Sequence, residues 1–138
     1  FVFWSAKFDF PLDYTAIHIW DKKTGAGSEY ERIFERNGNK NYKVFRHYFI
    51  NSTVAASFTG DVYTGHKSQK PKQLMLDLME YDGRKGMNIF DPFMGSGSTG
   101  VACMELGHNF IGCESNSKWY AIAEKRIKQA ASQMVMFA

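Results

Sequence analysis

The order of residue patterns along the chain predicts an α/β fold, a mostly parallel sheet with helices on both faces, led by a strand-rich segment. Three observations carry this expectation. Over residues 1–64 aromatic and β-branched residues gather into the short runs FVFW, YTAIHIW and YKVFRHYFI, which read as strands because such side chains pack well on a pleated surface. From residue 65 the pattern becomes helix, strand, helix, strand, helix, the order that builds a parallel sheet through crossovers. A glycine-rich turn, MGSGST at 94–99, lies at the first strand-to-helix junction of that part.

Taken in order, the strands are expected at 1–4, 14–20 and 42–50, and the intervening TGAGSEYERIFERNGNKN reads as a mobile loop with one short helix about Tyr30 to Glu35. Leu74, Leu78 and Tyr81 recur at helical spacing through KQLMLDLMEY, after Pro71, which suits a first turn. Asp82, Gly83 and Gly86 end that helix, and MNIFD at 87–91 is short and apolar, as a buried parallel strand should be. Pro92 stops the strand, a helix runs from about Thr99 to Leu106, and Gly107 closes it. The next strand, NFIGCE, ends on Glu114; Asn116 or Ser117 then caps a last helix whose Tyr120, Ala123, Ile127 and Ala130 share one face.

At 138 residues and 44% hydrophobic content, one domain with a packed core is expected. Every apolar run is broken well short of the roughly 18 residues a membrane span needs, so no membrane is expected. Cys103 and Cys113 fit neither a disulfide framework nor a metal site, which points to a reducing cytoplasm and no metal. The chain begins at Phe1, and FVFW lacks the length and basic flank of a secretory signal, so the expectation is a sequence cut into rather than started. Its net charge of +3 arises in residues 21–50, where seven basic residues face four acidic ones.

The chemistry centres on DPFMGSGSTG at 91–100 and GHNFIGCE ending at Glu114. Glycines between a strand and a helix let the backbone approach a ligand closely, and the helix start offers free N–H groups. An acid ending the next strand can accept both vicinal hydroxyls of a ribose. Gly95, Gly97 and Gly100 also satisfy the dinucleotide-binding pattern, with Glu114 at the right distance. In that pattern, however, the first glycine follows the strand directly, whereas Asp91, Pro92, Phe93 and Met94 intervene here. A carboxylate at Asp91 would repel a pyrophosphate but suits S-adenosylmethionine, which carries an ammonium and a sulfonium and no phosphate. A glycine turn that merely closes a βα unit stands as the bland alternative, and a NAD-binding oxidoreductase as another.

With those residues in view, the segment resembles the amino-methylating DNA methyltransferases of the N6-adenine and N4-cytosine group, whose loop reads Asp-Pro-Phe-x-Gly-Ser-Gly-Thr-Thr. Ser98 stands at the first Thr position, and GHKSQKP at 65–71 is similar to the family's His-Pro-Thr-Gln-Lys-Pro segment, with Lys67 for Pro and Ser68 for Thr. The resemblance is good over 65–128 and looser over 14–50. It implies a Rossmann-like S-adenosylmethionine-dependent methyltransferase sheet, here incomplete, across one methyltransferase domain of residues 1–138. Residues 1–64 would be its strand-rich part, with DNA contacts in 21–50, and 65–138 its cofactor part. It further implies that Phe93, Gly95 and Gly97 line the methionine portion, that Glu114 holds the ribose, and that Gln69 with Lys70 fixes the methionine end; Asp91, Pro92 and Thr99 complete the cofactor set. Taken singly, Phe93 could instead be a core aromatic, Lys70 a solvated charge, His66 an ordinary loop residue, and Ser115 and Asn116 caps.

The family's catalytic Asp, Asn or Ser followed by Pro-Pro and an aromatic is absent, since Pro11, Pro71 and Pro92 are nowhere adjacent. The chain alone is therefore expected to be inactive, with an exposed sheet edge that invites self-association. Lys22, Lys23, Arg32, Arg36, Lys40, Lys43 and Arg46, interleaved with Tyr30, Phe34, Tyr42 and Tyr48, form the candidate contact with double-stranded DNA; a solvated face balanced by its own acids is the alternative. A non-catalytic remnant or partner subunit, binding DNA or another methyltransferase chain, is the second functional class.

Overall fold

The structure is a computed structural model that describes residues 1–5, 8–23, 30–38 and 41–135. It forms two compact units, Phe1–Phe49 and Ile50–Ala138, so the change in sequence character near residue 65 falls inside the second unit.

The first unit is a four-stranded sheet of β1 (Val2–Ser5), β2 (Ala16–Asp21), β3 (Tyr30–Glu35) and β4 (Val44–Arg46), in the order β1-β3-β2-β4. β3 runs antiparallel to both β1 and β2, and β4 runs parallel to β2. The short helix expected over Tyr30 to Glu35 is thus a central strand. Six residues give a helix fewer than two turns, which is marginal alone, whereas here each edge of the segment finds a partner strand. Burial on both sheet faces fixes the choice: Ile33 and Phe34 point to opposite sides and both are buried. Phe34 stacks on the Phe10 ring at 4.0 Å and meets Tyr14 edge-on at 4.9 Å. On the other side, His18 and Glu35, both buried, join through Nε2 and Oε2 at 3.1 Å. The strand expected over 42–50 shortens to three residues, although His47 and Phe49 continue its backbone bonding by donating to the carbonyls of Asp21 and Lys22.

The second unit opens on α1 (Thr53–Ser57), a short helix that sequence periodicity did not reveal; Ser52 Oγ accepts the Ala55 N–H at its start. The rest follows the expected order: α2 (Lys72–Asp82), β5 (Asn88–Asp91), α3 (Ser98–Leu106), β6 (Asn109–Gly112) and α4 (Ser117–Val135). β5 and β6 are parallel, with Asp91 opposite Gly112. Helix α3 packs against α2, α4 and β6. The apolar interior lies there, with Leu74, Leu78, Val101, Ala102 and Ala123 buried.

One sheet face is turned to α3, and the other is bare. Phe90 and Ile111 are 62% and 66% exposed, so MNIFD is a half-exposed strand and not the fully buried one expected. Two strands with helices on one side leave a face uncovered. Among the described residues β5 pairs with β6 alone, which matches the incomplete methyltransferase-like sheet anticipated. Tyr120 also departs from the expected buried stripe of α4, which begins at Ala123; Trp119 makes the first-turn contact instead, edge-on to His66 at 4.7 Å. No described helix is long and apolar enough to cross a membrane.

Candidate functional site

The site is built at the carboxyl ends of β5 and β6. Because these strands are parallel neighbours, Asp91 at the end of one and Glu114 just beyond the end of the other reach the same edge of the sheet. Backbone bonds hold that edge together: Cys113 N–H donates to the Asp91 carbonyl at 2.9 Å, and Met94 N–H to the Cys113 carbonyl at 3.0 Å. The chain between Asp91 and α3 therefore folds back over the strand ends as a tight turn.

Asp91 organises the turn. Its Oδ1 accepts the Phe93 N–H at 3.0 Å and its Oδ2 accepts the Thr99 hydroxyl at 2.7 Å, tying the strand end to the first turn of α3. Glu114 holds the middle, with Oε2 accepting the Gly95 N–H at 3.1 Å and Oε1 the Asn116 N–H at 2.9 Å. A carboxylate has about four lone-pair positions, so each oxygen keeps capacity for one further donor, the requirement for gripping two adjacent hydroxyls. Asn116 itself caps α4, accepting from Lys118 and Trp119 N–H.

The two glycines are needed where they stand. Gly97 has φ +83, and a Cβ there would lie 2.9 Å from Ala123 Cβ on α4. Gly95 has φ +52, and a Cβ there would meet the His66 ring at 3.2 Å. His66 thus roofs the turn, braced by Trp119. Burial lowers the pKa of His66 from its ordinary value, partly opposed by the Glu114 carboxylate and reinforced by the Lys70 ammonium. Phe93 is 87% exposed beside the turn, which removes the reading of it as a core aromatic, and Pro92 is exposed with it.

The Gln-Lys-Pro segment lies against this turn, but its glutamine does not face outward. Gln69 is 1% exposed; its Oε1 accepts from the Thr64 N–H and hydroxyl, and its Nε2 donates to the Val62 carbonyl. The Gln69 amide, expected to fix a ligand's methionine end, here staples its own loop. Lys70 is half-buried, and its carbonyl accepts the Ser98 hydroxyl at 2.7 Å. Sequence reading passed over Ser96, Asp61 and Arg126. The Arg126 guanidinium donates to the Ser96 carbonyl at 2.6 Å and to Asp61 Oδ1 at 3.0 Å. The only local signal was an arginine three residues after Ala123, at the margin of the apolar stripe of α4.

Six of the seven basic residues expected to contact DNA lie among the described residues, and they do not all share one face of the first sheet. Lys22 Nζ pairs with Glu31 at 3.0 Å and sits over the Trp20 and Phe49 rings, its side chain 13% exposed, so an acid already meets its charge. Lys43 lies over the Phe45 ring, on the same sheet face as Trp20. Arg32 and Arg46 share the opposite face, being paired with Ile19 and Asp21 of β2. Arg32 donates to the Phe8 carbonyl and lies over Phe34, and Arg46 keeps a side chain 65% exposed beside Asp21. Lys23 lies over Tyr48, Arg36 is exposed beyond β3, and Lys40 lies outside the described residues.

Residues 1–125 match the model of a family described as DNA methylase, N6_N4_Mtase. The chain belongs to this family. It is 34% identical over 109 residues to the type II methyltransferase M2.LlaDCHI of Lactococcus lactis subsp. cremoris, covering 67% of this chain and 40% of that protein. It is likewise 34% identical over 105 residues to the type II methyltransferase M2.DpnII of Streptococcus pneumoniae, 64% of this chain and 39% of the relative. The crystal structure of an M1.HpyAVI–SAM complex matches with a TM-score of 0.55 at 28% identity, over 80% of this chain and 60% of that one. This methylase chain therefore spans about 40% of the length of the curated relatives it matches.

Proposed function

We propose that residues 1–138 are part of one methyltransferase domain, with the cofactor-binding residues in 65–138, whose parent transfers a methyl group from S-adenosylmethionine to the exocyclic amino group of adenine or cytosine in double-stranded DNA. The observation that carries this is the pair of acids, Asp91 and Glu114, flanking the Gly95–Gly97 turn at one edge of a parallel sheet. The donor set fits the cofactor. Two carboxylates suit a cation-bearing ligand and would repel a pyrophosphate, and Glu114 retains the acceptor capacity that ribose hydroxyls require. When bound, the cofactor supplies the electrophilic methyl carbon on its sulfonium. The chain's own residues would do the rest of the holding: Glu114 the ribose, Gly95 and Gly97 the close backbone approach, Phe93 an apolar wall, and Lys70 the carboxylate end.

No residue of this chain is assigned to methyl transfer itself, because the sequence has no Pro-Pro catalytic segment. On this reading, purified residues 1–138 show no DNA methylation above background, and clear turnover would refute it. Calorimetric titration tests the pocket: S-adenosylhomocysteine should bind and NAD should not compete. Binding of NAD instead would restore the oxidoreductase alternative. Among the described residues β5 pairs with β6 alone, leaving its other edge unpaired, and Phe90 and Ile111 are exposed on the adjoining face; this supports self-association of this chain through the β5 edge. Light scattering that finds only monomer at high concentration would remove that part.

A further inference from the structure

The Gly95–Gly97 turn is gripped from outside by two residues one turn apart on α4. Ala123 receives Gly97 flush against its Cβ and Cα. Arg126 closes over Ser96, the residue between the two left-handed glycines: one guanidinium nitrogen donates to the Ser96 carbonyl at 2.6 Å and to its hydroxyl at 3.3 Å. The other donates to Asp61 Oδ1 at 3.0 Å. Asp61 is engaged further, since its Oδ2 accepts the Lys72 N–H at the start of α2 at 2.9 Å and its Oδ1 accepts the Val62 N–H. The pair is sequestered, with side chains 15% and 4% exposed.

Stability alone is a poor reason for such an arrangement. Desolvating two charges costs about as much as their attraction returns, and apolar replacements of buried pairs are often neutral or better. What an apolar pair could not do is hold three separated segments at once, for which the planar fork of arginine is suited and the point charge of lysine is not. We infer that Arg126 is a positioning residue: by joining Ser96 to Asp61, it holds the Gly95–Gly97 turn in the shape that keeps the Gly95 N–H on Glu114 and so presents the Glu114 carboxylate to a ligand. The inference rests on the proposed function only in taking that turn as the cofactor loop. A ligand that binds one loop shape has an apparent dissociation constant divided by the fraction of molecules in that shape, so a clamp whose loss leaves about a tenth ordered weakens binding about tenfold.

Two variants test it. Arg126→Lys keeps a positive charge beside Asp61 without the fork, and the double variant Asp61→Asn with Arg126→Met leaves no charge buried alone while Asn can still accept the Lys72 N–H. Amide hydrogen exchange of the ligand-free chain is followed by NMR at Gly95 and Gly97, with Asn109 and Cys113, which bond Met87 and Asp91 across the sheet, as references. In both variants Gly95 and Gly97 should exchange at least about tenfold faster while the references hold. Exchange at Gly95 and Gly97 that moves only in step with the references, or not at all, overturns the inference. A parallel titration with S-adenosylhomocysteine should show about tenfold weaker binding by the variants. Failure of the wild-type chain to bind it would count against the proposed function alone, because the exchange result needs no ligand.

Discussion

Replacing Gly97 with alanine is the sharpest probe of how α4 is seated on the loop. The added Cβ would lie 2.9 Å from Ala123 Cβ and 3.0 Å from its Cα, atoms fixed to the helix backbone that cannot rotate away. The left-handed φ of +83 costs a residue with a side chain roughly 1–2 kcal/mol, and overpacking against a rigid neighbour adds roughly 1–3 kcal/mol. The sum is on the order of 3 kcal/mol, which for a unit of this size lowers the melting temperature by about 15 °C. Gly107→Ala isolates the conformational part, since φ there is +69 and nothing lies within 4 Å of a new Cβ; its cost should stay at roughly 1–2 kcal/mol. Every helix of the described residues lies in Ile50–Ala138, so thermal melts read by ellipticity at helical wavelengths report this unit. Equal losses for the two substitutions would refute the close seating of α4.

Three further outcomes are expected. Glu114→Gln should weaken S-adenosylhomocysteine binding by roughly ten- to a hundredfold, the equivalent of about 1.5–3 kcal/mol for hydrogen bonds to a charged group, with the fold retained; calorimetric binding at wild-type strength would contradict the ribose role. Charge reversal at Arg36 and Arg46 should lower the salt dependence of DNA binding by about one phosphate each, whereas Lys22→Gln should leave that slope unchanged; the reverse pattern in fluorescence anisotropy would place the DNA elsewhere. His66 binds less proton folded than unfolded, so stability should fall as pH drops below about 6.5 and level off once the folded group also protonates; an NMR titration midpoint for His66 at or above 6.5 would contradict its burial beneath Trp119.

The elements of the second unit were legible because their signals are local. Gly83 and Gly107 end α2 and α3 in left-handed conformations, Asn116 caps α4, and the glycine turn separates β5 from α3. Each is a short-range instruction that neighbouring residues carry out. β3 was not legible, because YERIFE becomes a strand only when Val2–Ser5 and Ala16–Asp21 flank it. The open face of β5 was missed for the same reason: an apolar tetrapeptide does not state how many strands or helices will surround it.

The sequence by itself determined that a carboxylate, a glycine turn and a second carboxylate would follow strand ends in that order, since spacing and turn chemistry act over a few residues. Tertiary structure alone decided which polar groups are left for a ligand. Gln69 is consumed by Thr64 and Val62, Lys22 by Glu31, and Ser96 by Arg126, thirty residues away. A hydrogen-bonding group reads the same in a sequence whether or not a distant partner has already taken it, and only folding brings that partner within reach.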